Sequence, residues 1–328
     1  MSKEVLELVR TQGNSAFRSI TKELYLNHSG QKNKTDISNI LKPYPDLLEH
    51  EILQVLMDSK FSSTQEESGN KNMLSLVANL IVLGQSSKIQ DAVFESEASS
   101  YFKLGHTRVN FRAIPKALLR KSKDNEIKEI KEKKGAIISK LNELYLRQYA
   151  YLQKDSYELG FKNYLTLYEL TQDHESSDLI EHAKEFIRDT EYISKDLLSW
   201  YLDKKMDIKL KNADSENLFY LINSFELKKA LPKLNTHSLA KKILDKNKIE
   251  LPAVIKFDTE KRGGHVLGSI PYIYEPGVEM IVSTNLLGSV FDYESFLEAF
   301  ACCLSYSFTN RDDYFEYAHL RNNTLVET

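Results

Sequence analysis

The sequence predicts a mainly α protein, a bundle of long helices with a small β-sheet near the C-terminus. Three observations carry that expectation. The 328 residues contain only 12 glycines and 7 prolines, so long stretches run without a helix breaker. Within those stretches apolar residues recur three and four positions apart, the spacing of one helix face. From Leu251 onward the texture changes to short β-branched and aromatic segments separated by Gly and Pro.

Taken in order, Glu4–Tyr25 is periodic, with Leu6, Val9, Phe17, Ile20 and Leu24 on one stripe, and Asn27–Thr35 breaks it. After Tyr44, Pro45 and Asp46, Leu47–Met57 reads as a second helix. Phe61–Asn72, rich in Ser, Glu, Asn and Gly, reads as a loop and as the most mobile stretch. Met73–Leu83 and Ile89–Phe102 follow as helices, and Asn110–Leu118 as an ordered connector. Lys121–Gln153 is the longest helical pattern, dense in Lys and Glu. Gly160 marks a break and Asn163–Leu170 restarts a helix. Asp178–Asp203, capped by Ser177, carries the single tryptophan, Trp200. Ser215–Phe225 and Thr236–Lys246 complete a helical region spanning residues 1–250.

Residues 251–328 form a second unit. Ala253–Asp258, Ser269–Tyr274 and Val278–Ser283 read as three strands, the last two antiparallel about Glu275, Pro276 and Gly277. Asn285–Ser289 then leads into a helix expected from near Tyr293 to Phe308, with Asp292 at its N-cap. Its apolar stripe runs through Phe296, Phe300, Cys303 and Leu304.

Composition narrows the classes of function. Hydrophobic residues at 41% and charged residues at 28% suit a globular protein, and a net charge of −3 gives no electrostatic case for nucleic acid or anionic membranes. The N-terminal MSKEVLELVR lacks the apolar core of a signal peptide, and no apolar run reaches the roughly 20 residues of a membrane span. Cys302 and Cys303 are adjacent and give no disulfide framework, so a reducing cytoplasm is the expected location.

The chemistry-bearing pattern lies in the last long helix. Glu298 and Cys302 stand four residues apart on one face, the spacing at which an H-E-x-x-H helix presents two zinc ligands. A sheet edge beside such a helix can take up an extended peptide as an added strand. Arg262-Gly263-Gly264-His265 does not follow a phosphate-loop pattern and reads as a turn between strands. A lone loop histidine such as His265 is expected to be solvated.

Taken together, these segments resemble the oligoendopeptidase F and thimet oligopeptidase family of zinc peptidases. FDTEKRGGHVLGS, with Asp258 and Arg262, stands in the place of the family's loop before the zinc helix. LEAFACCLSYSFT resembles that helix through Leu297, Leu304, Tyr306 and Thr309. YFEYAHLRNNTLVET resembles the third-ligand segment through Phe315, Glu316, Tyr317, Leu320, Asn323 and Glu327. The resemblance implies a zinc cofactor, peptide substrates, and metal-ligand positions at Glu298, Cys302 and Glu327. It places the general base at Ala299 and peptide contacts at Arg262, Gly264 and His265.

The departures from the family pattern are chemical. Glu298, Ala299 and Cys302 stand where His, Glu and His are expected, and alanine has no proton acceptor. Sequence reasoning therefore expects a homologue that has lost zinc-dependent peptide hydrolysis, a pseudoenzyme or a gene remnant, with no cofactor, truncated within its catalytic core at Thr328. Two alternatives stand beside it. One is a peptidase using an altered Glu298, Cys302 and Glu327 metal site; the other is a peptide- or protein-binding module completed by another chain, with an apolar surface where that chain packs.

Overall fold

The computed structural model describes residues 3–60, 63–120, 124–172, 176–223 and 233–320. The chain opens with α1 (Lys3–Leu8), a π-helical turn at Val9–Gly13, and α2 (Asn14–His28). One continuous helix was expected here. The π turn falls where Gly13 lets the Leu76 side chain approach to 3.0 Å of the position a Cβ would take. Two short helices follow, α3 (Ile37–Leu41) and α4 (His50–Met57), the latter after a 3-10 turn at Asp46–Leu48.

The spine of the helical region is α5 (Thr64–Ser99), 36 residues long. The expected loop over Phe61–Asn72 and the two expected helices after it are in fact one helix from Thr64 to Ser99; residues 61–62 lie outside the described residues, and Tyr101 and Phe102, expected to end the second helix, are in a strand. Ser63 caps its N-terminus, its Oγ accepting from the Glu66 backbone N–H at 3.2 Å. Gly69 and Gly84, which read as breakers, are contact points. A Cβ at Gly69 would lie 2.7 Å from the Tyr317 hydroxyl, and one at Gly84 would lie 3.1 Å from Leu48. Core residues Val9, Leu53, Met73, Val77 and Ile81 pack along this helix.

A hairpin unforeseen in the sequence, β1 (Tyr101–Leu104) and β2 (Thr107–Asn110), turns at Gly105 with φ +58°. Four helices follow: α6 (Ile114–Arg120), α7 (Asp124–Glu158), α8 (Tyr164–Gln172) and α9 (Ser176–Met206). Gly160, at φ +88°, makes the expected break between α7 and α8. Then come α10 (Ser215–Ile222) and α11 (Thr236–Lys246); the expected end of α10 at Phe225 lies outside the described residues.

The sheet consists of β3 (Ile255–Asp258), β4 (Gly268–Glu275) and β5 (Glu279–Asn285), in the order β3-β5-β4. β5 runs parallel to β3 and antiparallel to β4. On one face lie α12 (Val290–Ser307) and α11, whose Ala240 and Leu244 join Ile255, Met280, Val282, Phe296 and Phe300 in a second core. On the other, Tyr25 of α2 packs edge-on against Tyr272, with ring centroids 5.3 Å apart. The short helix α13 (Phe315–Ala318) returns the chain to α5. No helix among the described residues is long and apolar enough to cross a membrane.

Candidate functional site

The beginning of α12 is set by Asp292. Its carboxylate accepts from the backbone N–H groups of Leu287 at 2.7 Å, Gly288 at 2.6 Å and Ser289 at 3.3 Å. The carboxylate thus sits against the positive end of the helix. Asp292 was expected to be the N-cap itself. The cap is Ser289, so the helix begins at Val290.

The face of α12 turned to the sheet carries Phe296, Ala299, Phe300 and Cys303, all buried. The rings of Phe296 and Phe300 stack at 5.7 Å with 5° between their planes. Burial pushes the Cys303 thiol well above its ordinary value, so it behaves as a packed apolar group. Tyr306 is also buried in this row, whereas Phe308, at the helix end, is exposed.

Ala299 is 1% exposed and belongs to the core built from the sheet and α11. Glu298 is exposed, and Cys302, one turn further on, is half-buried. The helix therefore offers two donors at the right spacing, with a sealed alanine beside them. A catalytic zinc takes three protein ligands. Among the described residues no group of three His, Cys, Asp or Glu side chains is arranged to hold a metal ion. Glu327, the third ligand position, lies outside the described residues. The described donors do not fit a catalytic zinc site.

His319 packs between Phe17 and Phe315, with centroids 5.8 and 5.0 Å away, and burial pushes its imidazole down to about 4. It is held among aromatic rings, and its backbone carbonyl accepts from the Tyr306 hydroxyl of α12 at 3.4 Å.

Arg262, Gly264 and His265 fasten the loop between β3 and β4. Arg262 forms a two-pronged ion pair with Asp258, at 2.7 and 3.1 Å, and reaches the Ser29 carbonyl at 3.4 Å. Gly264 takes φ +77°, and its carbonyl accepts from Arg112 at 3.2 Å. His265 is buried, contrary to the expectation of a solvated side chain. Its Nδ1 lies 3.1 Å from the Glu260 carbonyl, and its Nε2 lies 3.0 Å from the Ser283 hydroxyl. A carbonyl only accepts, so Nδ1 donates and Nε2 accepts from the serine. Burial pushes the imidazole pKa down, which keeps this neutral tautomer in place.

Sequence reasoning missed two groups around this loop. The guanidinium of Arg112 is buried and bonds the Asn27 carbonyl at 3.0 Å and the Asn27 side chain at 2.7 Å, gathering the end of α2 and the loop. A cavity of about 460 Å3 lies beside the start of α12, lined by Lys116, Lys261, Leu234, Leu287 and Tyr293 among others. Arg262, Gly264 and His265 do not line it. Neither group has a signal in sequence periodicity, because its members come from several separate elements.

The long-helix body joined to a three-stranded sheet is a fold shared with solved structures assigned as oligoendopeptidase F. A chain from Bacillus anthracis str. Ames assigned as an oligoendopeptidase F superposes with a TM-score of 0.55 at 13% identity, covering 91% of this chain and 59% of that one. A second chain assigned as oligoendopeptidase F, solved at 3.1 Å, gives a TM-score of 0.55 at 11% identity, covering 93% of this chain and 58% of that one. The chain thus spans under two thirds of the length of the structures it resembles. No family profile matches the sequence, and no curated protein matches it.

Proposed function

We propose that this chain is a non-hydrolysing relative of the oligoendopeptidases that keeps a capacity to bind a peptide or protein segment. The observation that carries the reading is Ala299. It occupies the position that the family resemblance gives to the catalytic glutamate, and it is 1% exposed inside an apolar core. A methyl group takes no proton from water, and losing a general base costs roughly 100- to 10,000-fold in rate. Glu298 and Cys302 supply one carboxylate and one thiol where two imidazoles are expected, which removes the usual neutral ligand set. Binding remains open to the chain. The cavity beside α12 combines apolar walls with the exposed Lys233 and Lys261, a lining suited to a peptide that carries an acidic group or a free C-terminus.

The test is hydrolysis of internally quenched oligopeptides with added zinc, run beside a binding titration with the same peptides made non-cleavable. Binding without turnover is the expected result. Turnover that a chelator abolishes, and that Cys302→Ser also abolishes, overturns the reading in favour of an altered metal site.

A further inference from the structure

The long helices α5 and α7 pack against each other, and α9 stands apart from that pair among the described residues. Among the described residues its main contacts are with the 3-10 turn Leu210–Asn212 and α10, and Leu202, near its C-terminus, is buried. Along the preceding turns its apolar residues face water. Leu179, Ala183, Phe186, Thr190, Ile193, Leu197 and Trp200 follow one another at alternating steps of four and three, the seam of a coiled coil over three heptads. Phe186 is 68% exposed and Trp200 is 54% exposed. An apolar seam of this length left in water marks an interaction surface.

Charge beside the seam indicates what covers it. Along one edge stand Asp178, Glu185, Asp189, Asp196 and Asp203, all exposed, and the same two columns of the helix hold no lysine or arginine. Arg188 approaches Asp189 at 3.5 Å and Glu185 at 3.8 Å from the far face, and Lys209 pairs with Asp203. Such exposed pairs contribute little and exchange readily for a better partner. On the opposite side the column next to the seam, Ile180, Ile187, Ser194 and Tyr201, is neutral, and the column behind it carries Lys184, Glu191, Leu198 and Lys205. A second copy of the chain answers this pattern poorly. Antiparallel pairing sets the acidic edge against itself, and parallel pairing sets Asp189, Asp196 and Asp203, next to the seam, against the neutral column of Ile187, Ser194 and Tyr201.

We propose that α9 docks a partner segment that is an amphipathic helix with lysine or arginine along one edge. The inference goes beyond the peptide-binding reading and does not depend on Ala299 or on the cavity beside α12. Trp200 is the chain's single tryptophan and lies in the seam, so its fluorescence reports occupation directly.

The experiment titrates the intact chain with two synthetic three-heptad peptides. Both carry leucine at the seam positions; one has lysine and the other glutamate at the flanking positions. The lysine peptide is expected to give a saturable blue shift that weakens with added salt, and the glutamate peptide to bind about tenfold or more weakly. Leu197→Asp, at an exposed position, is expected to abolish the shift while leaving the thermal midpoint unchanged. Equal responses to both peptides, or no response to either, overturn the proposal. Self-association that Leu197→Asp removes also overturns it, assigning the seam to a second copy of the chain.

Discussion

Arg10, in the π turn near the N-terminus, and Glu316, in α13, form an ion pair that joins the two ends of the described chain. The Arg10 Nε lies 3.1 Å from each carboxylate oxygen, and a terminal guanidinium nitrogen closes the pair. Glu316 is 1% exposed, and the Tyr314 ring covers the guanidinium at 3.7 Å. The hydrogen bond to Glu316 holds the Arg10 pKa above its ordinary value. Removing the carboxylate leaves a mostly buried cation with only the exposed Glu7, at 3.1 Å, as counter-charge. Glu316→Gln is expected to cost about 3 kcal/mol, the lower end of the range for broken buried pairs, because Arg10 keeps some contact with water. Urea unfolding measures it; a loss below about 0.5 kcal/mol, the size of an ordinary surface substitution, would show that the pair is idle.

Ala299 gives a second test. Introducing the carboxylate by Ala299→Glu places a charge in the core between the sheet and α11, and is expected to destabilise by about 3 kcal/mol or more. No zinc-dependent hydrolysis should appear. Glu298→Ala, on the exposed side of the same helix, should change stability by no more than about 0.5 kcal/mol. Comparing the two thermal midpoints, with peptide hydrolysis alongside, checks both statements. Turnover in Ala299→Glu would show that the position opens onto a cleft.

His265 and Arg262 predict the behaviour of the loop they hold. His265→Ala leaves the buried Ser283 hydroxyl without this partner and also removes the bond to the Glu260 carbonyl, in an exposed residue. A cost of about 2 kcal/mol follows from that desolvation. Limited trypsin digestion should then cut after Lys261 or Arg262 faster than in the parent chain. An unchanged digestion pattern would mean that the loop is held by other contacts.

The pH dependence follows from three buried groups. Burial pushes the Asp155 carboxyl up from 3.8 to about 6, and Asp155 is 0% exposed. Burial pushes the imidazoles of His28 and His319 down from 6.5 to about 4. Between pH 6.5 and 4 the unfolded chain binds more protons at the two histidines, so their contribution to stability falls as pH falls. At Asp155 the native state binds more, so its contribution rises as pH falls from about 6 to 3.8. The opposing slopes partly cancel. Asp155→Asn should raise stability near pH 7 by up to about 3 kcal/mol and steepen the acid loss. A pH–stability curve parallel to that of the parent chain would refute the assignment.

Much of the fold is legible in the sequence because it is local. The three strands, the β4–β5 turn, Gly160 and the boundaries of α11 follow from composition and periodicity over a few residues. Misreadings occur where a distant partner reverses a local signal. Gly69 and Gly84 look like breakers, yet they lie inside α5 because Tyr317 and Leu48 need the room a side chain would take. Asp292 looks like a cap, yet it sits one turn inward, where three loop N–H groups converge on it.

The sequence alone determined the chemistry present at the helix positions: Glu298, Ala299 and Cys302 on consecutive turns of one helix. Side-chain identity is a covalent fact, and helical spacing fixes which residues share a face. Only the tertiary structure decided accessibility. Packing of α11 and the sheet seals Ala299 and leaves Glu298 outside; hydrogen bonds from separate elements bury His265; and the absence of a packing partner along most of the described α9 leaves its seam in water. Burial depends on which distant surfaces meet, and that information is spread over the whole chain.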